Sequence, residues 1–400
     1  MFFKTPVHSD RKTVDEILSR AVASVIPREL ADKKLSSGEK LRVYLGIDPT
    51  GAKLHLGHSV PLRKLKALSD AGHRVIFLVG SFTAMIGDPT GRDTAREPLT
   101  ERQVEENFET YKRQAARILD FSKVEIRYNA EWLKPLTLEK LIGLASRFTV
   151  GQMLEREMFA RRIAEGKPIS LHEFLYPVMV GYDSVMLDVD CELGGSDQEF
   201  NMLAGRTLQK ASGKREKFVL TTRLIEGTDG RKMSKTYDNC VYLDDGQNDM
   251  FGKLMSVKDE LIPEYLECVT DLPMEEVVER QRALADGSLH PKEAKTALAR
   301  EIVRMYHGDA AAARAAAAFA AAFSKGGVPD DVPEIVLLDR PAADVLIEAG
   351  IVSSKTDLRR LLADGAVRAV PSDEKIADLG TVADGIVLRI GKHRFVRIKK

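Results

Sequence analysis

The chain has 400 residues, 44% of them apolar, which is enough for two or three domains with cores of their own. Sixty basic and sixty acidic residues cancel, so no global field draws the molecule to a polyanion, and any nucleic-acid site must be a local patch. Cys191, Cys240 and Cys268 lack CxxC or Cys/His clustering, which argues against a disulfide framework or structural zinc, and the polar start MFFKTPVHSDRK with no long apolar run predicts a cytoplasmic protein without signal peptide or membrane span.

Residues 12–31 carry helical periodicity through Val14, Ile17, Leu18, Ala21, Val25 and Ile26 and predict a leading helix. Leu41, Val43, Leu45 and Ile47 alternate as in a half-buried strand, Asp48-Pro49-Thr50-Gly51 breaks it, and Leu54 to Leu68 returns to helical spacing. His55 and His58 of HLGH then fall at a helix N-terminus, where unpaired N–H groups and a partial positive charge suit a phosphate. Gly57 between them has no Cβ to hold off an adenine or ribose. Alone, such a pair reads equally well as two ordinary helix-start histidines. Val75 to Val79 (VIFLV) is a continuous apolar run, the mark of a strand buried on both faces of a parallel sheet. Strand, helix and strand form a βαβ unit, whose ligands bind at the carboxyl ends of the strands, here 44–50 and 80–92. In the second of these, GDPTG reads as a tight turn from which Asp88 faces the crevice, an acid able to pair with the ammonium of an amino acid.

Residues 101–119 predict a charged amphipathic helix, and 124–128 a short strand. Residues 136–162 are helical in pattern, with Phe148, Val150, Met153, Leu154 and Met158 on a face most simply read as core, and they interrupt the two halves of the nucleotide fold. A helix over 174–185 carries Tyr176 and Asp183, seven residues apart on one face. A strand at 185–189 leads to Gly194-Gly195-Ser196-Asp197-Gln198, a glycine turn suited to a ribose, with Asp197 accepting from its hydroxyls. After a strand at 219–224 and the turn 227–230, Lys232-Met233-Ser234-Lys235-Thr236 sets two lysines around a serine on a loop. That is a movable clamp for the charge of a departing pyrophosphate. Residues 249–323 are helical, their alanine tract having the best helix propensity of any residue type, and SKGGVP at 324–329 is a linker. A last module has two short helices around Ser353-Ser354-Lys355, a small sheet from 365 onward, and a basic tail of Arg389, Lys392, Arg394, Arg397, Lys399 and Lys400.

HLGH near the start of a nucleotide fold with KMSK well downstream resembles the paired motifs of class I aminoacyl-tRNA synthetases, HIGH and KMSKS, with Leu56 and Thr236 as mild departures. Tyr44 and Asp48 in YLGIDPT, Asp88 in GDPTG, Tyr176 with Asp183, and GGSDQ narrow the resemblance to the bacterial tyrosyl-tRNA synthetases, from residue 12 to the end. The resemblance implies an α/β, Rossmann-like parallel-sheet nucleotide-binding domain over 1–248, with a connective helical insertion at about 120–168 that builds a two-fold dimer interface. An all-helical anticodon-side domain over 249–325 and a small α/β RNA-binding module over 335–400 would follow. The expected reaction is tyrosine activation by ATP, with Mg²⁺ carried by the nucleotide and no metal held by the protein, followed by transfer to tRNA(Tyr).

The same resemblance implies the roles. Tyr44 and Asp183 would hydrogen-bond the substrate's phenolic hydroxyl, while Tyr176 and Asp88, with Asp48 nearby, would hold tyrosine by its ammonium. His55, His58 and Thr50 would stabilise the phosphoryl group in transfer, and Lys232 and Lys235 the β,γ-phosphates. Gly57, Gly195, Asp197, Gln198, Met233 and Ser234 would complete the ATP site. The pattern SxxxLRRLLxxGxV resembles an RNA-binding module shared with a ribosomal small-subunit protein, so Lys355, Arg359, Arg360 and Arg368 would contact RNA phosphates. One position departs: Val180 stands where the family usually has a glutamine that helps hold the ammonium. A tryptophan-directed relative and an RNA-binding paralogue without aminoacylation remain as rival readings. Tyr44 with Asp183 argues against the first, and the retained HLGH and KMSK against the second.

Overall fold

The computed structural model describes residues 6–88, 99–234, 237–324, 332–337, 340–370, 372–391 and 394–399. Lys235, Thr236, most of the GDPTG turn after Asp88, the 325–329 linker, Lys392 and Lys400 lie outside them. The chain divides into two compact units, Met1–Asp244 with Pro263–Glu279, and Asp245–Ile262 with Arg280–Lys400.

The apolar run VIFLV forms strand β3 (Arg74–Val79), buried after its first residue. It belongs to a six-stranded sheet with β1 (Val22–Ile26), β2 (Arg42–Ile47), β4 (Val124–Tyr128), β5 (Cys191–Gly195) and β6 (Phe218–Thr222), in the order β1-β6-β5-β2-β3-β4. All neighbours are parallel except β1 and β6. The order reverses between β2 and β5, so the switch-point crevice opens where Ile47 and Gly195 leave the sheet.

Four sequence expectations change. The predicted leading helix stops at Ser19; Ala21 takes a left-handed conformation (φ 55°) and the β-branched stretch VASVI pairs as an edge strand instead. Strand β2 is not half-buried, because a sheet covered on both faces buries Val43, Tyr44 and Leu45 alike. The helix Leu171–Leu187 outruns its predicted end, and Asp188 (φ 47°) breaks it, so the next strand starts at Cys191 rather than 185. Residues 136–162 form not one helix but Leu138–Ala145, Val150–Leu154 and Glu157–Ala164, the first two started by Thr137 and Thr149, whose hydroxyls accept from backbone N–H groups.

In the second unit the helices Gln247–Met255, Pro291–His307 and Asp309–Ser324 pack together, with the Phe251 and Phe319 rings 5.4 Å apart. Strands β7 (Glu334–Val336), β8 (Val367–Val370), β9 (Val387–Ile390) and β10 (Arg394–Lys399) form a sheet ordered β7-β10-β9-β8. With helices Ala342–Glu348 and Lys355–Ala363 it encloses a core that includes Leu346, Val367, Leu388, Ile390, Val396 and Ile398. All three cysteines are free and buried. No helix among the described residues is long and apolar enough to cross a membrane.

Candidate active site

The loop leaving β2 is pinned by two polar residues on the buried stripe of the helix Glu101–Ala115. Asn107 Nδ2 donates to Pro49 O at 2.8 Å, and Gln114 accepts from Leu54 N–H and donates to Ala52 O, both at 2.8 Å. Thr50 is held there by its own N–H on Asp48 O, 2.8 Å away. The loop delivers His55 as the residue that starts the helix Leu56–Asp70. The imidazoles of His55 and His58 lie 3.8 Å apart, and His58 Nδ1 accepts from the His55 backbone N–H at 3.2 Å, which leaves the His58 proton on Nε2. A Cβ on Gly57 would sit 3.0 Å from the His55 ring, so the glycine leaves that imidazole room to lie against the helix start. Burial, with His58 alongside, lowers the His55 pKa to about 2, and burial lowers that of His58 to about 4. Both are neutral N–H donors near pH 7.

The lysine loop meets this motif directly. Leu56 N–H donates to Val241 O and Leu243 N–H to Leu54 O, each at 2.9 Å, so the segment leaving the loop forms a short antiparallel pair with the start of the histidine helix. Lys232 Nζ lies 3.9 Å from the Asp197 carboxylate, and its charge reaches His55. Burial raises the Asp197 pKa, and Lys232 offsets part of that rise. Met233 is buried. The loop hangs on Asn239, which sequence reasoning missed. Its Nδ2 donates to Asp229 Oδ1 at 2.7 Å and to Lys232 O at 3.2 Å, and its Oδ1 accepts from Ser234 N–H at 2.9 Å.

Carboxylates gather in the same crevice. Asp48 accepts from the Tyr176 hydroxyl at 2.9 Å and from Thr83 Oγ1 at 2.7 Å; a Cβ on Gly80 would collide with that carboxylate. Asp183 accepts from Trp132 Nε1 at 2.7 Å and from Asn129 Nδ2 at 3.2 Å, and Asn129 also donates to Thr83 Oγ1 at 3.0 Å. Asp88 accepts from Gln198 Nε2 at 2.9 Å. Burial pushes the Asp183 carboxyl well above the usual range, against the pull of Trp132 and Asn129, and burial beside Asp48 and Asp88 pushes the Tyr176 phenol well up. Such a cluster favours a bound ammonium. The Arg156 guanidinium, 5.2 Å from the Phe159 ring and 5.0 Å from the Phe200 ring, offsets part of the field at Asp88. The Tyr44 hydroxyl is hydrogen-bonded to Ser184 Oγ, 3.1 Å away.

Of the predicted site residues, the structure thus joins His55 with His58, Lys232 with Asp197, Tyr176 with Asp48, and Asp88 with Gln198, and it sets Tyr44 on Ser184. Trp132, Asn129, Thr83 and Gln114 were not foreseen; each is a single polar group with no period to reveal it. Among the described residues no three His, Cys, Asp or Glu side chains converge as a metal site.

In the C-terminal module Arg340, Lys355 and Arg359 line a groove of about 810 Å³ with Pro341, Leu358 and Leu379. Lys355 pairs with Asp344 at 2.7 Å, Arg360 with Asp357 at 2.9 Å, and Arg368 with Asp373 at 2.6 Å. The basic tail is less bare than its sequence suggests, because the sheet brings acids to it. Lys399 and Arg397 meet Glu334 of the neighbouring β7, and Arg389 meets Asp373.

Known proteins share this chain's pattern. The model of the family "tRNA synthetases class I (W and Y)" matches residues 36–324. A tyrosine–tRNA ligase of Oleidesulfovibrio alaskensis is 47% identical over 385 residues, 95% of this chain and 96% of the relative. One from Thermotoga maritima is 44% identical over 388 residues, 96% of each chain. Among solved structures, a C-terminally truncated mitochondrial tyrosyl-tRNA synthetase of Coccidioides posadasii superposes with a TM-score of 0.61 at 26% identity, over 76% of this chain and 90% of that one.

Proposed function

The chain belongs to the class I tRNA synthetases for tryptophan and tyrosine and joins tyrosine to tRNA using ATP, and from that premise we propose which of its residues carry each step. The tyrosine carboxylate attacks the α-phosphorus of ATP, pyrophosphate leaves, and the terminal ribose hydroxyl of the tRNA then takes the tyrosyl group and releases AMP. The carboxylate is already a nucleophile, so no covalent enzyme intermediate or strong base is needed, and catalysis is positioning and charge stabilisation.

The observation behind the assignment is the backbone pairing of 54–56 with 241–243, which joins a pair of neutral N–H donors to a lysine loop. His55 and His58, with Thr50, donate to the phosphoryl oxygens, and Lys232 and Lys235 meet the charge developing on pyrophosphate. Asp197, Gln198 and Gly195 take the ribose, with Gly57, Met233 and Ser234 around the nucleotide. Asp88, Tyr176 and Asp48 hold the ammonium, and Tyr44 with Asp183 read the phenolic hydroxyl. Mg²⁺ bound to the nucleotide would supply neutralisation of phosphate charge, and the protein side of the site offers mainly N–H donors and cations to the phosphates.

The groove of Arg340, Lys355 and Arg359, with Arg360 and Arg368, contacts tRNA phosphates; exposed ion pairs such as Lys355–Asp344 are worth little and yield to a phosphate. The enzyme works in the cytoplasm as a homodimer built on the helical insertion at about 120–168. The test is tyrosine-dependent ATP–pyrophosphate exchange with Lys232→Ala. The activation rate should fall by about 10²–10³ with tyrosine binding little changed, and equal losses in both would refute the clamp.

A further inference from the structure

Gln198 is flanked by two side chains that fix which way its amide faces. Its Nε2 donates to Asp88 Oδ2 at 2.9 Å, and its Oε1 accepts from Asn201 Nδ2 at 2.8 Å. Gln198 precedes the helix Glu199–Ala211, and Asn201 lies in the first turn of that helix, 1% exposed. Gln198 also follows Asp197 directly, and the charge of Asp88 reaches Asp197. The amide therefore serves both the acid assigned to the ammonium and the acid assigned to the ribose. Asn201 itself is poorly served. Among the described residues nothing donates to its buried Oδ1. An acceptor left unpaired inside a fold costs free energy, and leucine has the same branched shape without that cost. The buried side of this helix includes Met202, Ala204, Gly205 and Leu208, so an apolar residue would suit it. A polar residue kept at such a position points to a task for its Nδ2.

An amide turned end for end exchanges its oxygen and its NH2 with little change of shape. Before tyrosine binds, Asp88 is enough to orient Gln198, because a carboxylate attracts N–H donors and repels a carbonyl oxygen. Once Asp88 carries the ammonium, that bias is gone. The cation attracts Gln198 Oε1 as well, and an amide not otherwise held would turn to it and withdraw its N–H groups. Asn201 Nδ2 keeps the oxygen where it is. We propose that Asn201 is a positioning residue: by holding Gln198 Oε1, it makes Gln198 meet the substrates through its N–H groups alone. One N–H stays on Asp88, and the other is left for an oxygen of the nucleotide. The proposal rests on Asp88 holding the ammonium and on Gln198 serving the ATP site, as above.

The test separates the two substrates and sets both against stability. In Asn201→Leu the freed amide turns toward the ammonium, so the nucleotide loses a donor and tyrosine does not. ATP–pyrophosphate exchange should show kcat/KM for ATP down about tenfold. Tyrosine binding, measured by equilibrium dialysis, should be unchanged or tighter, and the urea midpoint should be no lower than the parent's, since the unpaired acceptor has gone. Asn201→Ala, which adds no bulk, should show the same split between substrates. In a Gln198→Ala background, adding Asn201→Leu should cost nothing further. A lowered midpoint with ATP and tyrosine weakened together would make Asn201 a structural residue and overturn the proposal. So would parent kinetics in Asn201→Leu, or a second full loss in the Gln198→Ala background. Gln198→Ala alone tests the underlying reading: if exchange is unaffected, Gln198 does not serve the ATP site at all. If Gln198→Ala slows exchange and Asn201→Leu does not, only the role of Asn201 fails.

Discussion

Val180 stands one turn beyond Tyr176 on the helix Leu171–Leu187, where the resemblance leads one to expect a glutamine. A hydrogen bond to a charged ammonium is worth roughly 1.5–3 kcal/mol, about ten- to a hundredfold in affinity. Arg156, which interacts electrostatically with Asp88 and Tyr176, is a cation and cannot take that place. Val180→Gln should therefore lower the tyrosine KM with kcat unchanged. Trp132 offers a direct readout, being the only tryptophan and bonded to Asp183, so its fluorescence should follow tyrosine titration. An unchanged or raised KM would sink the idea. The histidines make a second prediction. Burial lowers the pKa of His58 and of His73 to about 4, so both are neutral in the fold, whereas the unfolded chain protonates them near 6.5. The unfolded state thus binds more protons between about pH 6.5 and 4, and stability falls as pH drops through that window, by at most about 1.4 kcal/mol per pH unit for each histidine. Urea midpoints at several pH values should show the decline, and His73→Gln, away from the crevice, should make it shallower while the share of His58 remains; a slope left unchanged by this substitution assigns the effect elsewhere.

At the scale of elements, what repeats was legible and what occurs once was not. The 3.6-residue spacing after His55 and the unbroken run of β3 announce their structures, and the Gly/Pro turn between them marks the loop that delivers HLGH. The leading helix was overrun because VASVI is apolar enough to continue a helical pattern, while its β-branched residues found a partner in β6 that only the folded chain supplies. Asn239, Asn129 and Gln114 carry no periodicity, yet each holds a functional loop by two or more hydrogen bonds. Asn239 has the clearest consequence. It spans the turn at Asp229 and the backbone at Lys232 and Ser234, so the position of the lysine depends on it. Asn239→Ala should slow tyrosyl-adenylate formation by about tenfold or more while leaving the tyrosine KM as it was. Single-turnover kinetics checks this, and a change confined to KM would show that Asn239 acts on the tyrosine pocket rather than on the loop.

At the scale of the whole molecule, the insertion sets the remaining expectation. Five of the ten large apolar side chains exposed among the described residues fall within 138–171: Leu138, Ile142, Val150, Ile163 and Leu171, each more than half exposed. The sequence pattern of 136–162 reads most simply as core, and part of it is, since Met153 and Met158 are buried. The opposite sides of the same helices carry Leu138, Ile142, Val150 and Ile163 to the surface. Thr137 and Thr149 cap the first two of these helices at their N-termini and Glu173 forms a buried pair with Arg162, so the segment is built and not frayed. A built apolar surface of this extent on one segment is the mark of an interface, and in the homodimer proposed above a second copy of the same chain, meeting it about a two-fold axis, would cover it self-complementarily. Ile142→Asp combined with Val150→Asp puts two like charges on each side of that axis, where neither can be hydrated once the surfaces close. Sedimentation at micromolar concentration should find the parent enzyme as a dimer and the double variant as a folded monomer. A variant that remains dimeric would place the interface on another surface and leave these five residues without a partner.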